Sequence, residues 1–408
     1  MSSALIPLEK ALDFLLGAVK ENSDEIDVAL PDALGCVLAT SQQAGFDVPD
    51  FDNSAMDGYA VNTRDTAESG CRLPVSQIIA AGHNGAAMQT GTAARIFTGA
   101  PIPEGADAVV IQENTRAQDG LVEIMVLPVV GENIRLKGHD IEKDSEVLQA
   151  GHRMRPQDLG MLASLGIARV KVKRPLKVAI INTGDEVIPP GQALAPGQIY
   201  DSNSFTLEGL LKGMGLDVIK KGIVDDSLAN TELALIAAAQ EADCIITTGG
   251  VSVGDEDHVR QAVENLGELG LWKLAIKPGK PFSYGHIRQG DSSVPFFGLP
   301  GNPVAVFVTF TMLVRPCLLK TQGCRSLAAP SVQVKAGFNI SKPASRLEFI
   351  RVRLASEDDG EQTLQAFGNQ GSSIMTSLSW ADGLAEIPLG KIVEKGDLLK
   401  FIPFRGLL

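Results

Sequence analysis

The chain has 408 residues, too many for one ordinary core, so two to four domains are expected. Its 44% hydrophobic and 21% charged content is that of a globular protein in water. A net charge of −13 argues against non-specific binding to nucleic acid or to an anionic membrane, so an anionic ligand must meet local positive charge or a metal ion.

The N-terminus opens on an amphipathic pattern over residues 5–20, with Leu8, Leu12, Leu15, Leu16 and Val19 on one face. Glu9, Lys10 and Asp13 lie inside it, which excludes a signal peptide. From 45 to 142 short β-prone runs (77–81, 94–98, 108–112, 121–129) alternate with glycine turns, the mark of a separate β-rich domain. Residues 156–165 return to a helical period and 168–172 to a strand. This piece is expected to pack with the N-terminal helix, making the β-rich domain an insertion. The boundaries read as 1–44 with 143–174 for a small α/β linking domain, and 45–142 for the insert.

From 176 the pattern alternates. Strands are expected at 177–182, 217–224, 244–248 and 294–298, and helices at 204–214, 228–239, 257–266 and 304–319. Strand and helix in alternation imply a doubly wound parallel sheet, here over 175–326. The uncharged run 292–314 contains Pro295, Gly298, Pro300, Gly301 and Pro303, so it reads as strand, turn and buried helix rather than a membrane span. After 326 only short β runs remain, which suggests a small C-terminal β-barrel over 327–408. Five cysteines without a Cys-x-x-Cys pair argue against a zinc site and a disulfide framework, and fit a reducing cytoplasm.

The segment 243–303 carries the densest chemistry. The turn Thr248-Gly249-Gly250-Val251-Ser252-Val253-Gly254 lies between a buried strand and a helix start, where free backbone N–H groups and the helix dipole favour an anion. Lys273, Lys277 and Lys280 follow, then a second turn, Pro300-Gly301-Asn302-Pro303. Together these read as a pocket for a phosphorylated ligand. A glycine turn alone closes many α/β units without any ligand, and a lone lysine is usually solvated; their occurrence in one segment favours the pocket.

Three acidic pairs follow three of the expected parallel strands: Asp185-Glu186, Asp225-Asp226, and Asp255 with Asp257. Ligands of open parallel sheets bind at the carboxyl ends of the strands, so these acids should converge there. One pair alone could serve as helix caps. Carboxylates beside a polyphosphate need a cation between them, and Mg²⁺ takes carboxylate and phosphate oxygens together. The lysines would add roughly 1.5–3 kcal/mol for each charge-assisted contact.

Seven motifs in register then identify a family resemblance. They are Asn53-Ser-Ala-Met-Asp-Gly-Tyr-Ala, Phe97-Thr-Gly-Ala-Pro-Ile-Pro, Gly131-x-Asn-Ile-Arg-x-x-Gly-x-Asp140, Asn182-Thr-Gly-Asp-Glu, Thr248-Gly-Gly-Val-Ser-Val-Gly-Asp, Ile276-Lys-Pro-Gly-Lys-Pro and Gly298-Leu-Pro-Gly-Asn-Pro-Val. In this order they closely resemble the MoeA/gephyrin family of molybdenum insertion enzymes. The resemblance implies a multidomain homodimer whose central domain is MogA-like and binds molybdopterin. It implies a Mg²⁺-dependent transfer of molybdenum from molybdate to adenylylated molybdopterin, with AMP released.

It further implies a catalytic set of Asp57, Thr98, Glu186, Asp226, Asp257, Lys273 and Lys277, with Glu186, Asp226 and Asp257 on Mg²⁺. The cofactor-binding positions would be Arg135, Asp140, Thr248, Gly249, Gly250, Ser252, Gly254, Lys280, Pro300, Gly301 and Pro303. Lys277, Lys280, Pro281, Arg351 and Ser373 would neighbour molybdate. The cleft would lie between the central domain of one subunit and the β-rich domain of the other. Transient contacts with a molybdopterin adenylyltransferase and with proteins that receive the cofactor would follow. Many relatives carry serine where this chain has Ala305, so another donor would serve molybdate here. Two other readings share parts of the pattern: an adenylyltransferase, which uses the same type of domain, and a gephyrin-like scaffold, which would bring a further fused domain and a long linker.

Overall fold

The computed structural model describes residues 5–249, 258–356 and 360–407. Residues 25–43 and 146–173 make one small unit. Glu25–Ala29 pairs antiparallel with Arg169–Lys173, and Gln42–Gln43 with Glu146–Leu148. The chain leaves this unit after Gln43 and re-enters at Glu146. In between it forms a six-stranded sheet in which Gly58–Val61 lies between Ala108–Ile111 and Ala93–Ile96, followed by Cys71–Ile79, Leu121–Ile124 and Thr115–Gln118.

The first helix, α1 (Leu8–Ala18), does not pack with residues 143–173 as expected. Its stripe of Leu8, Ala11 and Leu15 enters the core of the central domain instead. The reason lies in the apolar surface on offer. The small unit packs Leu30, Leu38, Leu162, Val170 and Val172 against one another, while the much larger apolar cluster of the central domain takes in the helix stripe.

The central sheet contains β1 (Lys177–Thr183), β2 (Asp217–Val224), β3 (Cys244–Thr248), β4 (Gly267–Lys273), β5 (Pro281–Gln289) and β6 (Ser292–Leu299), in the order β2-β1-β3-β6-β5-β4. β2, β1, β3 and β6 are mutually parallel. β5 is antiparallel to both β6 and β4, so β5 alone is reversed and β4 points the same way as the parallel set. The sheet is therefore mixed where a purely parallel one was expected. Residues 267–289 supply two strands that the sequence pattern did not show.

Alternation along the strands sorts the core into two layers. Val178, Ile180, Ile246 and Phe297 meet α1, α3 (Asn203–Gly213) and the long helix α6 (Pro303–Thr321). Ala179, Ile181, Ile245 and Phe296 meet α4 (Leu228–Glu241) and α5 (His258–Leu266). Both faces are covered, so β3 is buried along its whole length, as parallel strands generally are. By length and composition α6 could cross a membrane, but 83% of its apolar window is buried within the protein, so it is a core helix.

After a short connection, β7 (Val332–Ala336), β8 (Leu347–Ser356), β9 (Gln362–Ala366), β10 (Gly383–Ile387) and β11 (Leu398–Pro403) close a five-stranded barrel in the ring order β8-β9-β7-β11-β10. Ile350, Val352, Leu364, Ala385 and Phe401 fill it. A two-residue strand of the central domain, Ile276–Lys277, pairs in parallel with Leu347–Glu348 of β8 and joins barrel to sheet.

One buried acid fixes the start of helix α2 (Pro156–Ser164) in the small unit. Asp158 is 3% exposed and accepts hydrogen bonds from His152 Nε2 (2.7 Å), from Arg155 N (2.8 Å) and from Arg155 Nε (3.0 Å). Burial pushes its pKa up, but the Arg155 and His152 contacts outweigh this and hold it at about 2, below the ordinary 3.8. A folded pKa below the unfolded one contributes stability above about pH 4 and loses it as pH falls toward about 2. Asp158→Asn should therefore cost about 2 kcal/mol at pH 7 and progressively less on acidification through that window, read from urea unfolding at a series of pH values.

Candidate active site

Three strand ends meet at the carboxyl edge of the central sheet. β1 ends in Asn182-Thr183, β3 in Thr248-Gly249, and β6 runs into Pro300-Gly301. Thr248 Oγ1 donates to Asn182 Oδ1 at 2.8 Å, tying β3 to β1. Gly249 N donates to Leu299 O at 3.2 Å, tying β3 to β6. Gly249 has φ +86°, and a Cβ there would meet Thr183 O at 3.0 Å, so a side chain would be both strained and crowded. Asn203 at the start of α3 donates from Nδ2 to Gly301 O at 2.8 Å and brings a fourth element to the edge.

These ends line a cavity of about 550 Å³ that includes Asn182, Glu186, Thr248, Gly249, Gly301 and Pro303. Ser373, from the barrel, lines it as well. The barrel loop is docked there through the first turn of α6: Val304 N donates to Ser372 O at 3.0 Å. Pro303 occupies the first position of that helix, where its missing N–H costs nothing. Six expected site positions are thus placed about one cavity or its rim: Glu186, Thr248, Gly249, Gly301, Pro303 and Ser373, with buried Pro300 on the same turn.

The acids are partly divided in role. Asp185 Oδ1 accepts from Asp226 N at 3.1 Å and so links the ends of β1 and β2. Ser227, and not either aspartate, caps α4 by accepting from Asn230 N. Glu186 and Asp226 remain exposed. Gly250, Ser252, Gly254, Asp255 and Asp257 lie outside the described residues. Among the described residues, no three His, Cys, Asp or Glu side chains gather as a metal cluster. Glu186 and Asp226 are hard oxygen donors at neighbouring strand ends, which suits Mg²⁺ bound chiefly through ligand oxygens and water.

The lysines reach the same edge by way of the reversed strand. β4 ends at Lys273, opposite Pro281 at the start of β5. The loop between them closes on itself through Leu274 N to Lys280 O, 2.7 Å. Ile6 N donates to Lys273 O, and Arg346 Nη1 donates to Ile276 O. Lys277 Nζ pairs with Glu348 Oε1 of the barrel at 2.7 Å. Lys277 and Lys280 are exposed, and Lys273 is half-buried. None of the three lines the 550 Å³ cavity.

Arg351 differs from expectation. It is 1% exposed, and its guanidinium donates to Ser377 Oγ (2.9 Å) and Gly371 O (3.0 Å). Burial lowers its pKa to about 10. It braces the loop that carries Ser373 and does not itself open onto the cavity. Ala305 is 3% exposed, with its carbonyl accepting from Thr309 Oγ1.

The inserted domain brings its three motifs into one knot. Gly99 N donates to Ser54 O, Ala55 N to Asn133 O, and Lys137 N to Asp52 Oδ1. Asp57 Oδ1 accepts from both Thr98 N (2.8 Å) and Thr98 Oγ1 (2.9 Å), and these bonds lower its pKa. Arg135 and Asp140 are exposed on the same knot. These four residues do not line the central cavity. Sequence reasoning missed Asn203, although a Ser-Asn pair before a helical period is a start signal, and Glu348, which carries no local signal at all.

An α/β sheet whose carboxyl edge offers a glycine turn, paired acids and lysines defines the class of anion-handling doubly wound domains. The comparisons name it further. Residues 6–166 match the MoeA N-terminal region (domain I and II), residues 179–320 the probable molybdopterin binding domain, and residues 333–404 the MoeA C-terminal region (domain IV). A molybdopterin molybdenumtransferase of Haemophilus influenzae is 39% identical, covering 93% of this chain and 94% of its own. One from Nostoc sp. is 37% identical over 88% and 84%. The crystal structure of a MoeA molybdopterin biosynthesis protein of Pyrococcus horikoshii superposes with a TM-score of 0.83 at 30% identity, covering 98% of this chain and 100% of its own. The chain belongs to the MoeA family and is a transferase of molybdenum cofactor biosynthesis.

Gly279 tests how tightly the lysine loop is set. It has φ +104°, and a Cβ would lie 2.5 Å from Thr309 Cγ2 on α6. Gly279→Ala should cost about 1–3 kcal/mol and displace the loop, lowering turnover on the order of tenfold. Thermal denaturation and activity of the same preparation check both.

Proposed function

We propose that this chain inserts molybdenum from molybdate into adenylylated molybdopterin, releasing AMP in a Mg²⁺-dependent reaction within a cytoplasmic homodimer. The observation that carries this reading is the meeting of Glu186, Thr248, Gly249, Gly301 and Ser373 at one cavity, with the lysine loop pinned to the same sheet edge. The full match to relatives that bear the transferase name supports it.

The division of labour follows from charge. Thr248 and the glycine turn, with Gly250, Ser252 and Gly254, hold phosphate through backbone and hydroxyl donors. Lys273, Lys277 and Lys280 neutralise the pyrophosphate and the oxyanion. Lys277 must exchange its Glu348 partner for the incoming anion. Glu186, Asp226 and Asp257 would hold Mg²⁺, which when bound offsets phosphate charge and polarises the phosphoanhydride. An oxygen nucleophile from water or molybdate forms a new P–O bond as the bridging P–O bond breaks, and AMP departs. Ser373 stands beside molybdate together with Lys277, Lys280 and Pro281, which serves where Ala305 offers no hydroxyl. Asp57, Thr98, Arg135 and Asp140 complete the cleft from the other subunit. A molybdopterin adenylyltransferase would supply the substrate, and cofactor-handling proteins would take the product.

Incubating the purified protein with adenylylated molybdopterin tests the reaction. AMP should appear only when molybdate is present; adenylylated product formed from molybdopterin and ATP would instead make it an adenylyltransferase. Lys277→Ala should lower turnover at least about a hundredfold, since it removes a charge from the transition state.

The shared cleft has its own check. Asp57→Asn and Glu186→Ala chains should each be inactive alone. Mixed after reversible dissociation, they should regain about a quarter of the wild-type rate, because half the dimers carry one intact site. Recovery absent from a mixture shown to exchange subunits would rule out the shared cleft.

A further inference from the structure

A second cleft, of about 1200 Å³, lies on a different part of the molecule, lined in part by Arg153, Arg155, Lys212, Arg315 and Arg325. The small N-terminal unit, the end of α3, the end of α6 and the last turn of the barrel all contribute walls. Among the described residues no aspartate or glutamate lines it, in a chain with 49 acidic against 36 basic residues. Two of its cations are already neutralised: Arg155 by Asp158, and Lys212 by Glu208. Among the described residues Arg153, Arg315 and Arg325 make no ion pair.

Backbone carbonyls orient two of these guanidiniums without cancelling their charge. Arg153 Nε donates to Gly35 O (3.1 Å) and its Nη2 to Gly213 O (2.9 Å). Arg315 is 6% exposed; its Nε donates to Leu407 O (2.8 Å) and its Nη1 to Leu327 O (3.3 Å). Arg325 donates to Gln149 Oε1. Burial lowers the Arg315 pKa, and the like charge of Arg153 lowers it further. Fixed guanidiniums without a carboxylate match the geometry of phosphate oxygens. Leu34, Met154, Leu319 and Pro330 add apolar wall beside them.

We propose that this cleft binds a phosphate ester whose phosphate meets Arg153, Arg315 and Arg325 and whose apolar or planar body lies against the Leu319 and Pro330 side. The site is separate from the sheet-edge cavity and shares no residue with it.

Titration calorimetry of the full chain with AMP, and separately with inorganic phosphate, tests this. Arg325→Glu reverses an exposed charge and Arg153→Gln removes one carbonyl-held charge; both should fold, as circular dichroism would verify. AMP should bind the Lys277→Ala chain, bind both cleft variants about tenfold or more weakly, and bind about tenfold tighter than phosphate. Turnover of Arg325→Glu should equal that of the wild type. AMP affinity untouched in both cleft variants, no binding to the Lys277→Ala chain, or phosphate binding as tight as AMP would each overturn the proposal.

Discussion

The placement of the lysines depends on one short stretch of backbone pairing, Ile276–Lys277 against Leu347–Glu348. Two residues of parallel strand would be marginal alone. Here Arg346 donates to Ile276 O, Glu348 pairs with Lys277, and Gly279 packs on Thr309 of α6. The barrel is therefore part of the site's frame. It also delivers Ser373 through the Ser372 carbonyl at the head of α6, and Arg351 of β8 stiffens that loop through the Gly371 carbonyl. Two elements of the C-terminal domain thus hold one rim of a cavity built by the central domain and the lysine loop at the same sheet edge.

Much of this was legible in the sequence because the relevant signals are local. The runs Lys177–Thr183 and Cys244–Thr248 are apolar and bounded by glycine turns, and they became buried parallel strands. Their position dictated where Glu186, Thr248 and Gly249 would lie. β4 was not legible. Its sequence, Gly-Glu-Leu-Gly-Leu-Trp-Lys, mixes glycine and charge, and it becomes a strand only because β5 pairs with it across a full register. The destination of α1 was hidden for a similar reason. An amphipathic stripe states that a helix will be buried, but not against which partner.

Arg351 and Glu348 mark the limit for side chains. Both sit on β8, yet one is buried beneath the 371–377 segment with hydroxyl and carbonyl partners while the other reaches a lysine 71 positions earlier. A charged residue near a motif was read as a ligand contact in one case and overlooked in the other. Separation along the chain, rather than residue type, decided the outcome. The knot of the inserted domain gives the opposite lesson. Three polar turns that each pass for ordinary turn chemistry turn out to bond to one another.

The reversed strand β5 has a bearing on how such a protein can vary. Because the chain runs out along β4 and back along β5, the loop with Lys277 and Lys280 begins and ends at neighbouring positions. The next bend, Gly290-Asp291, lies at the far rim and is exposed. Residues could be gained or lost at that bend without shifting the cationic loop. The hairpin thereby separates a tolerant end from an exacting one within a single stretch of 33 residues between Gly267 and Leu299.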